Sequence, residues 1–98
     1  MLAALRRRVE RVRREREDVV AVGCFGSYAR GDWGVGSDLD LVIIIEDSDE
    51  PFERRYAQWN LDDLPVPADV LTYTLAEWDA MDPSSRFRAR LDREAQWL

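Results

Sequence analysis

The sequence predicts an α/β (α+β) fold in which a small mixed β-sheet is flanked by helices. Three observations predict it. A basic amphipathic stretch opens the chain, three short apolar runs follow, and helix-start signals stand between and after those runs. Ninety-eight residues make one domain, which buries roughly 60–70% of its unfolded surface. The expected layout is a single unit over 1–98, with an N-terminal helix over 1–17, a core over 19–73 and helices over 75–98.

In chain order, Leu2, Leu5, Val9 and Val12 recur at three- and four-residue spacing and make a helical stripe up to Glu17. The arginine run here (Arg6, Arg7, Arg8, Arg11, Arg13, Arg14, Arg16) reads as a solvated helix face with i,i+4 pairs of the Glu10–Arg14 kind. VVAVGCF, Val19 to Phe25, is a buried strand ended by Gly26-Ser27. Ser27 to Gly31 fits one helical turn, with Ser27 as N-cap and Gly31 as terminator. A loop then leads to a second strand, Asp38 to Glu46, apolar on both faces as central strands are. After the acidic turn EDSDEP, Pro51 opens a helix with Phe52, Tyr56 and Trp59 on one face.

DDLPVP breaks the chain, and Ala68 to Thr74 is a third strand whose alternation puts Asp69, Leu71 and Tyr73 on one face. Thr74 with Glu77 three residues on is a capping box. Pro83 restarts a helix through about Arg93, with Ser84 or Ser85 near its start, and AQWL is open between helix end and short strand. Cys24 reads as a small buried hydrophobe, and Phe52, Tyr56, Trp59 and Trp78 as core. Trp33 belongs to an exposed loop, and Trp97 is open between core and a partner interface.

Composition narrows the chemistry. No apolar run approaches the roughly 20 residues of a membrane span. The opening residues turn basic too soon for a secretory signal, and the acidic residues among them argue against a mitochondrial one. A cytoplasmic location is the expectation. One cysteine allows no intrachain disulfide. Histidine is absent, which removes the commonest general base and transition-metal ligand and leaves carboxylates, donors suited to Mg2+. The net charge of −6 argues against direct nucleic-acid binding driven by phosphate neutralisation. All 14 basic residues are arginine, so phosphate contacts must come from guanidinium groups or backbone N–H, and a Walker-type loop with its essential lysine is excluded.

One stretch concentrates chemistry: GCFGSYARGDWGVGSDLDLVII, Gly23 to Ile44. Asp38 and Asp40 lie two apart on a strand, so they share a face with Cα atoms about 6.6–6.8 Å apart. Two ionised carboxylates side by side repel each other and favour a cation. Asp69 stands near the start of another apolar strand; if the strands are neighbours, three carboxylates meet at one rim of the sheet, as a two-metal phosphoryl-transfer site requires. Gly26 lets backbone approach a ligand, Ser27 offers a hydroxyl at a helix start, and Arg30 could neutralise phosphate charge. Taken singly, Ser27 is a plain cap, the aspartates and Asp69 are solvated strand-edge residues, and Arg30 is a surface ion pair. The combination is what points to a site.

The stretch Gly26 to Ile43 resembles the signature of the nucleotidyltransferase superfamily that includes DNA polymerase beta. Gly-Ser, ten residues, then Asp-x-Asp is matched by Gly26, Ser27, Asp38 and Asp40, with Ala29–Gly31 and Ser37 also matching; Tyr28 departs where many relatives carry arginine. The short chain is similar to the minimal nucleotidyltransferases. The resemblance implies a nucleotidyltransferase-like fold in which Gly26 and Ser27, with Arg30 and Ser37, grip a nucleoside triphosphate. It also implies that Asp38 and Asp40 hold two Mg2+ ions, and that Asp69 binds metal and activates the acceptor hydroxyl. Minimal members are often paired with a helical HEPN-type toxin, on whose tyrosine the antitoxin places AMP from ATP. The expected activity is therefore Mg2+-dependent AMP transfer to a HEPN-type partner. The alternatives are an antitoxin that masks its partner without catalysis and, third, a transferase for a small-molecule hydroxyl.

Overall fold

Two apolar strands that need cover on both faces set the architecture. β1 (Val19–Phe25) and β2 (Leu39–Ile45) pair antiparallel at the centre of a four-stranded sheet of order β3-β2-β1-β4. The structure, a computed structural model, describes residues 2–26, 29, 31, 39–59, 64 and 67–98. Among them the elements run α1 (Leu2–Glu15), β1, β2, a 3-10 helix (Phe52–Gln58), β3 (Ala68–Thr74), α2 (Leu75–Ala80), α3 (Arg86–Glu94) and β4 (Gln96–Trp97). β2 pairs parallel with β3, and β1 pairs antiparallel with β4 at the opposite edge, so the sheet is mixed as expected. AQWL thus resolves as a short edge strand.

Burial on both faces makes β2 almost continuously apolar. Leu39, Leu41, Ile43 and Ile45 face one layer with Leu5 and Val9 of α1, Val19, Val22 and Cys24 of β1, and Trp59 and Leu64. Val42 and Ile44 face the other layer with Phe25, Trp78 of α2 and Leu91 of α3. A register irregularity between Val19 and Ala21 lets Val19 and Val22 share the α1 face, which strict alternation would forbid.

The segment after Pro51 departs from expectation. It forms a 3-10 helix, not the expected α-helix, and Phe52 is 37% exposed. The cause is Arg55, which is 5% exposed and takes the inward place. Its Nε donates to Glu50 O at 2.9 Å, its Nη1 donates to Thr72 O at 3.2 Å, and its guanidinium pairs with Glu77. Beside it Trp59 is buried and donates from Nε1 to Thr72 Oγ1 at 2.9 Å. Glu77 also closes the expected capping box: its Oε1 accepts from Thr74 N, and Glu77 N donates to Thr74 Oγ1. The last helix begins at Arg86, with Ser85 as its cap. Asp82 accepts from Ser84 N and Ser84 Oγ, which holds a turn between Pro83 and the helix start.

The arginine face of α1 is solvated as expected, with an Arg11–Glu15 i,i+4 pair at 3.3 Å. Arg16 lies past the helix end, paired with Asp18 at 2.6 Å and stacked 4.5 Å over Trp59. Trp97 is 47% exposed and meets Trp78 edge-on at 5.8 Å.

Hydrogen bonding from Arg55, then from the Thr74 backbone, holds the Glu77 carboxyl below its ordinary value of 4.5. The stabilisation is therefore fully present above about pH 4.5 and is lost as pH falls through the lower folded-state pKa. Glu77→Gln should cost about 2 kcal/mol at pH 7, the scale of charge-assisted hydrogen bonds. The loss should shrink as pH falls below about 4.5, where the unfolded carboxyl takes up its proton first and the folded one follows at its lower pKa. Urea denaturation of both proteins between pH 3 and 7 measures this; a gap independent of pH would refute the role of the charge.

Candidate functional site

The site is built at the end of the sheet where β1 leaves and β2 and β3 enter. Asp40 is the second residue of β2 and Asp69 the second of β3, and they are direct register partners in the parallel pair. Register partners share a face, and neighbouring strands lie about 4.8 Å apart, so the two carboxylate arms rise side by side. They stand on the face of Val42, Ile44 and Leu71, which α2 and α3 cover. Asp40 is partly buried and Asp69 exposed.

On the other side of Asp40, β1 ends at Phe25, its antiparallel partner, and the next residue is Gly26. Gly26 has φ 77°, and a Cβ placed there would land on Asp40 Oδ2. Both the dihedral and the space require glycine: the backbone turns directly over the carboxylate. Gly31 also has a positive φ, 81°, in keeping with its expected role as terminator.

Cys24, pairing with Leu41 on the opposite face, is fully buried as expected. Burial raises its thiol pKa, and the charge of Asp40 raises it further, so the thiol stays protonated.

Of the residues expected to form the site, Gly26, Asp40 and Asp69 are brought together. Ser27, Arg30, Ser37 and Asp38 lie outside the described residues, as do Tyr28 and Trp33. Arg90 of α3 was not foreseen. Its guanidinium lies 5.3 Å from the Phe25 ring, its Nε donates to Glu94 Oε2 at 3.1 Å, and its Nη2 is 3.6 Å from the position a Gly26 Cβ would take. The i,i+4 spacing of Arg90 and Glu94 was visible in the sequence, but nothing local says that α3 reaches the site.

Among the described residues no group of three or more His, Cys, Asp or Glu gathers to hold a metal. The two that do meet fit Mg2+, because both are hard carboxylate donors and this ion is usually bound by one or two carboxylates together with substrate phosphates.

A mixed sheet with two carboxylates in register at one end and a glycine turn over one of them is the arrangement in which a nucleotidyl-transfer domain would hold its substrate. A family model for the nucleotidyltransferase domain matches residues 5–94, and the chain belongs to that family. Its fold is similar to a chain in a crystal structure of a toxin-antitoxin with AMP-PNP, with TM-score 0.64 and 17% identity over 91% of this chain and 67% of that one. No curated protein matches the chain.

Gly26 and Gly31 make a controlled comparison, since both have positive φ but a Cβ at Gly31 meets nothing within 4 Å. Gly31→Ala should cost roughly 1–2 kcal/mol from backbone strain alone. Gly26→Ala should cost a further 1–3 kcal/mol, roughly, because Asp40 must move. Equal losses in chemical denaturation would show that Asp40 does not lean on Gly26.

Proposed function

We propose that this protein is a Mg2+-dependent nucleotidyltransferase that transfers AMP from ATP to a hydroxyl of a protein partner. The partner we propose is a HEPN-type toxin, the acceptor its tyrosine, and the role that of a cytoplasmic antitoxin. The observation that carries the reading is the in-register pair Asp40 and Asp69, with the Gly26 turn over Asp40, in a chain of the nucleotidyltransferase family. The fold's likeness to a chain of a toxin-antitoxin crystallised with AMP-PNP supports the antitoxin role. No helix among the described residues is long and apolar enough to cross a membrane.

In this reading Asp40, with Asp38 and Asp69, would hold the metal. Mg2+ when bound supplies positive charge against the phosphates and acidifies a coordinated hydroxyl. Gly26, bare of a side chain, lets the backbone come close to the triphosphate, and Ser27, Arg30 and Ser37 add donors to its oxygens. Asp69 is exposed, so a docked partner can present its hydroxyl there. The acceptor oxygen bonds to the α-phosphorus, the bond from that phosphorus to the bridging oxygen breaks, and pyrophosphate leaves. The hydroxyl proton passes to the Asp69 carboxylate.

A second reading, in which the chain masks a basic partner without catalysis, draws on the net charge of −6. Both readings are tested by Asp38→Ala combined with Asp40→Ala. AMP transfer to the co-expressed partner, followed by mass spectrometry, should fall at least about a hundredfold, the scale of losing several kcal/mol of metal-dependent stabilisation. Transfer at the wild-type rate would sink the catalytic assignment. Full neutralisation of the toxin by the double variant, with no AMP adduct on the partner in either case, would establish masking instead.

A further inference from the structure

Among the described residues four arginines stack on aromatic rings: Arg16 on Trp59, Arg55 on Phe52, Arg88 on Trp78 and Arg90 on Phe25. Three of them are committed to the fold. Arg16 holds Asp18 through Nε and Nη2 and Gln58 through Nη1. Arg55 is buried and holds Glu50 O, Thr72 O and Glu77. Arg88 reaches Trp78 O at 3.4 Å and Asp92 at 3.5 Å.

Arg90 differs in both respects that matter. Its side chain is 42% exposed, and among the described residues its one hydrogen bond is from Nε to Glu94. Glu94 and the Phe25 ring therefore hold the guanidinium in place. Its Nη2 lies 3.6 Å from the Cβ position at Gly26, a position that Asp40 Oδ2 also crowds. A fixed guanidinium beside a bare glycine turn and a carboxylate offers two parallel N–H donors, the geometry that matches phosphate oxygens. The alternative, that Arg90 only neutralises Asp40, leaves unexplained why Nε and the ring are used to hold it in place.

We propose that Arg90 is a phosphate-contacting residue of the nucleotide site, gripping the triphosphate of an NTP from the α3 side, with Glu94 as its positioning residue. This rests on the nucleotidyltransferase reading above.

The test is equilibrium titration of the whole chain with ATP and Mg2+, and competition by inorganic tripolyphosphate, which has the anion without base or ribose. Arg90→Ala should weaken both ATP and tripolyphosphate about ten- to a hundredfold, the range of a lost charge-assisted hydrogen bond. Arg90→Lys, which keeps the charge but not the fork, should fall between Arg90→Ala and wild type, and it decides the matter if Arg90→Ala melts substantially earlier. Arg54→Ala, an exposed arginine on the 3-10 helix, removes the same charge elsewhere and should change either affinity less than twofold. Unchanged binding of both ligands by Arg90→Ala overturns this proposal and leaves the nucleotide reading standing. Weakened ATP with unchanged tripolyphosphate also overturns it, since the contact is then to base or ribose. A wild-type chain that binds neither overturns both.

Discussion

Asp40 and Asp69 sit opposite each other on neighbouring parallel strands, an arrangement that like charges resist. The pairing holds because the strands have no better register. Downstream of the carboxylates, Leu41 meets Val70, Val42 meets Leu71 and Ile44 meets Tyr73. A slip of one residue would turn every β2 side chain to the wrong face. Each buried aliphatic side chain contributes about 1.5–3 kcal/mol, against roughly 0.2–1 kcal/mol for a cross-strand pair. The core therefore wins easily and holds two carboxylates together that would otherwise part. The site is an electrostatic cost imposed by packing, and a bound cation would relieve it.

The far end of the same strand pair is fastened by different means. Parallel neighbours require a long crossover, here residues 46–67, and a crossover alone leaves the strands free to slide. Arg55 removes that freedom. It joins the acidic turn at Glu50, β3 at Thr72 and α2 at Glu77, and Glu77 caps the helix that begins directly after Thr74. Thr74 is the partner of Ile45, five positions along from Asp69 and Asp40. Fixing β3 at Thr74 also fixes where Asp69 lies, so the lock and the site are two ends of one rigid register.

Features with local causes were legible in the sequence. β1 and β3 fall at the expected residues because β-branched runs bounded by turn residues are local signals. The Thr74–Glu77 capping box is a four-residue motif and forms as read. The sequence singles out Gly26 for close approach to a ligand; what the structure adds is a positive φ and a close approach to Asp40. What stayed hidden depends on distant partners. Arg55 turns inward only because Thr72 and Glu77 wait for it, and this displaces Phe52 and tightens an expected α-helix to 3-10. The adjacency of Asp40 and Asp69 could be posed only as a condition, and Arg90 not at all, since helical periodicity does not say which end of a sheet a helix will cover.

Among the described residues, the two faces of the sheet also separate the cations that reach the carboxylates from those that do not. Residues 1–16 carry seven arginines against two glutamates, while the rest of the chain carries seven against eighteen carboxylates. The obvious basic feature is thus α1, yet α1 packs through Leu5 and Val9 onto the face of Leu39 and Leu41. Asp40 and Asp69 stand on the reverse face, with a sheet that is close-packed on both sides between them and that helix. Charge acting through about 10 Å of surrounding solvent is largely screened at physiological salt. The basic helix is therefore poorly placed to hold phosphates at the carboxylates, however basic it is. On the α3 side the described residues bring Arg90 to the Gly26 turn. What decides the role of an arginine in this chain is the face of the sheet it reaches, and the density of charge along the sequence points to the wrong one.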